Sequence, residues 1–196
     1  MLAYLLPIAT LFVSSGDAAQ PSTATAEMGR LAADVCWRIE SRTMDVPAGT
    51  DIDGLDAFIE NIGLEPGIDG KMLDRLGPGS GLISRATMGS KSIGEDTLIL
   101  AFGGQAPGCS VLLITPDSES REYALVDAFV QAGWREPRPG VAQQRGFIGK
   151  RMLVRRDDAG QPYLVNILTV MKPDSRWRHG ITIVAIPPHV TLPEGF

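Results

Sequence analysis

Cysteine occurs only twice in this 196-residue chain, at Cys36 and Cys109, and the two lie in segments of different periodicity. Met28, Leu31, Ala32, Val35, Cys36 and Ile39 recur at helical spacing and mark one apolar helix face. Cys109 opens the strand-like run Cys109-Ser-Val-Leu-Leu-Ile-Thr115. An inward-facing helix cysteine reaches a strand cysteine only if the helix packs on the sheet that contains the strand. With no second ligand at C-x-x-C spacing, the pair reads as one disulfide in an oxidising compartment; two buried free thiols are the alternative and a zinc site is disfavoured. On the chain-entropy model, closing so long a loop stabilises the fold by about 4 kcal/mol.

The N-terminus points to the same compartment. Met1 to Val13 is apolar throughout, and small residues follow in Ser14-Ser-Gly-Asp-Ala-Ala19. Such a stretch is too short to span a bilayer, which takes about 20 apolar residues, and has the pattern of a secretory signal with its cleavage site. Cutting after Ala18 places Gly16 and Ala18 at the two positions the peptidase reads. Ala24-Thr25-Ala26 is a closer A-x-A match but lies far from the apolar core, and no Lys or Arg precedes Arg30 to form a basic n-region. The expected organisation is a signal over residues 1–18, a flexible Ser/Thr/Ala-rich linker over 19–26, and one domain over 27–196. A periplasmic or secreted location follows from that reading. No later segment is long and apolar enough to predict a membrane span.

The spacing predicts a first helix with Thr25 as N-cap, and a second with Asp53 as N-cap and Leu55, Phe58, Ile59 and Ile62 on one face. Gly63 is placed to end the second helix in the left-handed conformation, with Leu64 packing behind it. Residues 65–94 are glycine-rich, with a helical turn expected over Lys71–Leu76 and a strand over Leu82–Met88. Thr97–Phe102 and Cys109–Thr115 read as paired strands. A helix through Tyr123, Leu125, Val126 and Phe129 follows, opened by Ser118 or Ser120 and closed by Gly133. Three strands come last, over Phe147–Arg155, Tyr163–Met171 and Ile181–Ile186, ended by Pro187-Pro188. The order α-α-β-β-β-α-β-β-β with short connections predicts an α+β domain, with about five or six antiparallel strands and two to three helices packed on them. In order alone it resembles profilin and roadblock-type domains, a likeness that implies no function.

The net charge of −5 argues against a nucleic-acid partner. Its distribution is uneven: residues 27–119 hold 7 basic against 15 acidic side chains, residues 121–179 hold 11 against 6. A basic second half either pairs with the acidic first half or faces an anionic partner. The candidate residues for such a partner are Arg155 and Arg156 at the end of one strand, and Arg176, Trp177 and Arg178 in the following hairpin loop. Arg beside an exposed Trp is a common binding combination. Trp37 and Trp134 read as packing residues.

Catalytic signatures are weak. Asp51, Asp53, Asp56 and Glu60 fit a calcium loop poorly, because Gly49 stands where its first carboxylate belongs, and a helix N-terminus accounts for the acids better. Gly77-Pro-Gly-Ser-Gly81 fits neither a phosphate loop nor a nucleophile elbow. His179 and His189 are the two histidines, and a histidine base would have to be one of them. No cofactor or metal is expected. The leading expectation is a non-enzymatic exported binding module that engages another envelope protein or an anionic surface polymer. The rival is a small hydrolase assembled from dispersed residues.

Overall fold

Ser22 opens the first helix: its hydroxyl accepts the Thr25 N–H at 3.3 Å and closes the N-terminal turn. The structure is a computed structural model and describes residues 22–67, 86–103, 108–116, 122–136, 149–171 and 177–190. Helix α1 runs Thr23–Arg30, continues as a π-helical stretch Leu31–Cys36, and ends in the turn Trp37–Glu40. The cap is thus three residues earlier than the spacing predicted. Ala24 and Thr25 are buried, so the last residues of the expected linker belong to the helix. The wider π turn keeps Leu31, Ala32, Val35 and Cys36 all on the buried side.

Helix α2, Ile52–Asn61, is capped by Asp51, whose carboxylate accepts the Gly54 N–H at 3.0 Å; Asp53, the expected cap, lies two residues further on, within the first turn. Helix α3 spans Glu122–Gln131. The ends of α2 and α3 follow one design. Gly63 and Gly133 both take φ +87, and the next residue donates back to the helix, Leu64 to Ile59 O at 3.1 Å and Trp134 to Phe129 O at 3.0 Å. Leu64 and Trp134 are thereby delivered into the core.

The strands are β1 Glu65–Pro66, β2 Thr87–Ile93, β3 Asp96–Phe102, β4 Cys109–Thr115, β5 Gly149–Arg156, β6 Pro162–Met171 and β7 Trp177–Ala185. They form one antiparallel sheet in the order β1-β2-β3-β4-β7-β6-β5. After β4 the chain passes through α3 to the opposite edge, and the β5–β6–β7 meander returns inward until β7 joins β4. Described residues therefore form an α+β fold of three helices on a seven-stranded sheet, against five or six strands expected. Two differences have physical causes. Pro66 and its glycine-rich surroundings hide a two-residue edge strand. Trp177-Arg-His-Gly180 reads as turn, but ladders to β4 on one side and β6 on the other hold it extended. The strand expected at Leu82–Met88 is found at Thr87–Ile93. The Lys71–Leu76 turn, Leu82–Arg85 and the Ser118/Ser120 caps lie outside the described residues.

All three helices pack on one face of the sheet, here the near face. Leu100, Val111, Ile181 and Ile167 lie in one row across four strands and join the helix residues in a single core. At Gly89 on β2, a Cβ would stand 2.5 Å from Ile59 Cγ2, so glycine there lets α2 rest on the strand backbone. Cys36 and Cys109, both fully buried, form a disulfide that fastens α1 to the central strand β4, closing a separation of 73 residues.

Candidate functional site

The basic residues singled out in the sequence divide between the two ends of the sheet. Arg155 and Arg156 end β5, at the turn into β6. Trp177 and Arg178 begin β7, beside Met171 and Val170 at the other end of β6, so they are strand residues and not loop residues. Ten residues of β6 separate the two groups by about 30 Å. Arg176 lies outside the described residues.

Arg155 is engaged inside the fold. Its guanidinium lies 4.2 Å over the Trp37 ring and donates to Ala132 O at 2.9 Å, tying β5 to α1 and to the end of α3. Trp37 in turn meets Trp134 and Tyr163 edge to face at 5.4 and 4.9 Å, the packing role expected of both tryptophans. Arg156 is exposed and donates to Gly160 O at 2.9 Å.

Around this end of the sheet, acidic groups serve the backbone. Asp157 Oδ1 accepts the N–H groups of Ala159 and Gln161 and shapes the β5–β6 turn, while Oδ2 accepts the Tyr163 hydroxyl at 3.1 Å. Burial, then the Asp157 contact, pushes the Tyr163 hydroxyl above its ordinary pKa. Burial also pushes the Glu40 carboxyl up, opposed by the N–H groups of Cys109 and Ala185 that donate to it and by nearby Arg42. Beside the turn is a shallow groove of about 570 Å³, bordered by Arg156, Gln161, Pro187, Pro188 and Val190.

His179 is fully enclosed, with Nδ1 3.2 Å from Thr169 Oγ1, whereas His189 is exposed beyond β7. Asp51, a candidate calcium ligand, is occupied by the α2 cap. Among the described residues no three His, Cys, Asp or Glu side chains group closely enough to hold a metal ion. The loop Gly77–Gly81 lies outside the described residues.

The sheet face turned away from the helices, the far face, is the larger feature. Strand register places Ile99 and Leu112, then Thr97 and Ile114, side by side, with Val184 beside Leu164 further along, and Met152, Asn166, Thr182 and Ser110 in a row across β5, β6, β7 and β4. Ile99, Ala101 and Ile114 are buried, yet none belongs to the core shared with the helices. Leu112, Leu164, Leu168, Val184 and Met152 are half-buried. None of the described helices lies on this face. An antiparallel sheet that meets only water on one side alternates apolar and polar residues; here β3 and β4 are apolar on both sides. Arg156 occupies a far-face register position at one end of the sheet, and Arg155 a near-face one.

The chain matches no protein-family model, no curated protein and no solved structure.

Proposed function

We propose that this chain is an exported, non-enzymatic interaction module that docks onto another envelope protein through the far face of its sheet. The observation that carries the reading is the apolar composition of that face, with Leu112, Leu164, Leu168 and Val184 half-buried on the side opposite the helices. Leu112 and Leu168 flank Gly180 in one row and Leu164 faces Val184 in another, and the apolar surface these side chains leave in water is of the kind another protein covers. Arg156, exposed at one end of this face, suits a partner whose contact surface is apolar at its centre and acidic at its rim. Location outside the cytoplasm is supported by the leader-like N-terminus and the buried Cys36–Cys109 disulfide. The hydrolase alternative draws no support from His179, which is enclosed beside Thr169.

The test compares three baits in an envelope extract. Wild type and the helix-side control Asp56→Ala retain the same discrete protein, and the far-face double variant Leu164→Asp/Leu168→Asp loses at least tenfold of it while keeping its circular dichroism spectrum. Equal capture by all three baits refutes docking through the far face.

A further inference from the structure

We infer that the groove of about 570 Å³ beside the β5–β6 turn is a carboxylate subsite, and that it takes an Asp or Glu side chain of the partner that covers the far face. The inference rests on the docking reading and names the partner's chemistry at one end of that surface. Among the residues that line the groove Arg156 alone is charged, and Pro162, Pro187 and Pro188 have no N–H to offer. The carbonyls around it are already engaged. Gly160 O accepts Arg156 Nη1 at 2.9 Å, Gln161 O accepts the Asp157 N–H at 3.1 Å, and Pro187 O accepts the Val190 N–H at 3.0 Å. Gln161 Nε2 donates to Pro162 O and Ile186 O at 3.0 and 2.7 Å, which uses both hydrogens of that amide.

What remains is donor capacity at one point. The bond to Gly160 O uses one guanidinium N–H of Arg156, holds the side chain in place, and leaves the other N–H groups for a ligand. A ligand group here must accept hydrogen bonds without donating any, and an ionised carboxylate does so on two oxygens at once. The nearby acids do not compete for the guanidinium. Asp157 is engaged by the Ala159 and Gln161 N–H groups and the Tyr163 hydroxyl, and neither Asp157 nor Asp158 lines the groove. The prolines and Val190, 43% exposed, make the wall apolar, so the acid's neighbours on the partner are apolar too. Position fixes whose acid it is. Arg156 and Pro162 pair on the far face, and the next far-face row, Val154–Leu164–Val184, lies two residues along the strands, about 7 Å away. A partner seated on Leu164 and Val184 therefore reaches the groove with the margin of the same surface.

The probes are acetyl-Leu-Glu-Leu-amide and its isostere acetyl-Leu-Gln-Leu-amide, titrated at millimolar concentration into the purified protein and followed by amide NMR. The expected result is that the Glu peptide shifts the Gly160, Gln161 and Val190 signals and that the Gln peptide binds about fivefold more weakly. Arg156 is exposed, so Arg156→Met keeps the fold, and this variant should bind the two peptides alike. Equal binding of both peptides to wild type, or no shift from either, overturns the carboxylate subsite, whatever becomes of the variant. As bait in the envelope extract, Arg156→Glu should retain no more than about a third of the protein that wild type retains. Full retention by Arg156→Glu, beside loss in Leu164→Asp/Leu168→Asp, overturns this inference and leaves far-face docking standing. Discrimination between the peptides with equal capture by every bait overturns far-face docking, and the partner named here with it, while the carboxylate groove stands.

Discussion

Replacing both Cys36 and Cys109 with alanine releases a cross-link that spans 73 residues between two fully buried positions. The loop-entropy relation for that separation gives a loss of about 4 kcal/mol, by enlarging the unfolded ensemble. The small voids left by the missing sulfur atoms add about 1 kcal/mol. Against a total stability of about 5–15 kcal/mol for a domain, this is a large share. With a urea slope of about 2 kcal/mol/M, the unfolding midpoint falls by about 2.5 M relative to oxidised wild type. The slope itself rises, because an unlinked unfolded chain exposes more surface. A midpoint shift under about 0.5 M with an unchanged slope would refute the view that this bond is the main staple between α1 and β4.

Glu27 and Glu40 respond to pH in opposite senses. Glu27 is lowered from 4.5 to about 2, chiefly by its hydrogen bond from Arg30. Its contribution is complete above pH 4.5 and is lost as pH falls toward 2; because Arg30 and Lys91 are partly exposed, it amounts to about 1–2 kcal/mol. Glu27→Gln should therefore flatten acid unfolding in that window, as read by fluorescence against pH. Glu40 is raised by burial, so its contribution is present below its ordinary pKa and lost as pH rises through the folded value. Glu40→Gln should leave urea stability at pH 7 equal or higher, by up to about 1 kcal/mol, and a large destabilisation would contradict the direction given. Gly108→Ala should cost about 1–3 kcal/mol, measured by thermal unfolding, because a Cβ there collides with the Ile183 carbonyl across the β4–β7 seam. Arg155→Met should lose about 1–2 kcal/mol of stability through the Trp37 and Ala132 contacts yet leave partner capture intact; reduced capture at unchanged stability would place Arg155 in the binding surface.

What the sequence revealed depended on whether a signal was local. The α1 face, the glycine ends of α2 and α3, and the pairing of β3 with β4 follow from spacing and composition within a few residues, and the structure repeats them. Ser22 and Thr25 are both good caps by residue type, and packing decides between them: Ala24 fits the core, so the helix begins before it. Trp177–Gly180 becomes strand through neighbours far away in sequence, which no local pattern encodes. Arg155 has the composition of a binding residue, and its role is set by Trp37, on another element altogether. The far face did leave a mark. Leu98-Ile-Leu-Ala-Phe102 and Val111-Leu-Leu-Ile114 are apolar without alternation, the pattern of strands buried on both faces, although local sequence alone does not separate such a strand from one covered by helices on one side.

Docking through the far face is tested most directly by photo-crosslinking in intact cells, with the photoreactive residue placed in turn at Leu112, Leu164 and Leu168, and at Asp56 on α2 as the control. The expected result is a single discrete adduct from the three far-face positions and none from Asp56. Adducts of equal yield at Asp56, or none from any far-face position in a folded and exported protein, would contradict it.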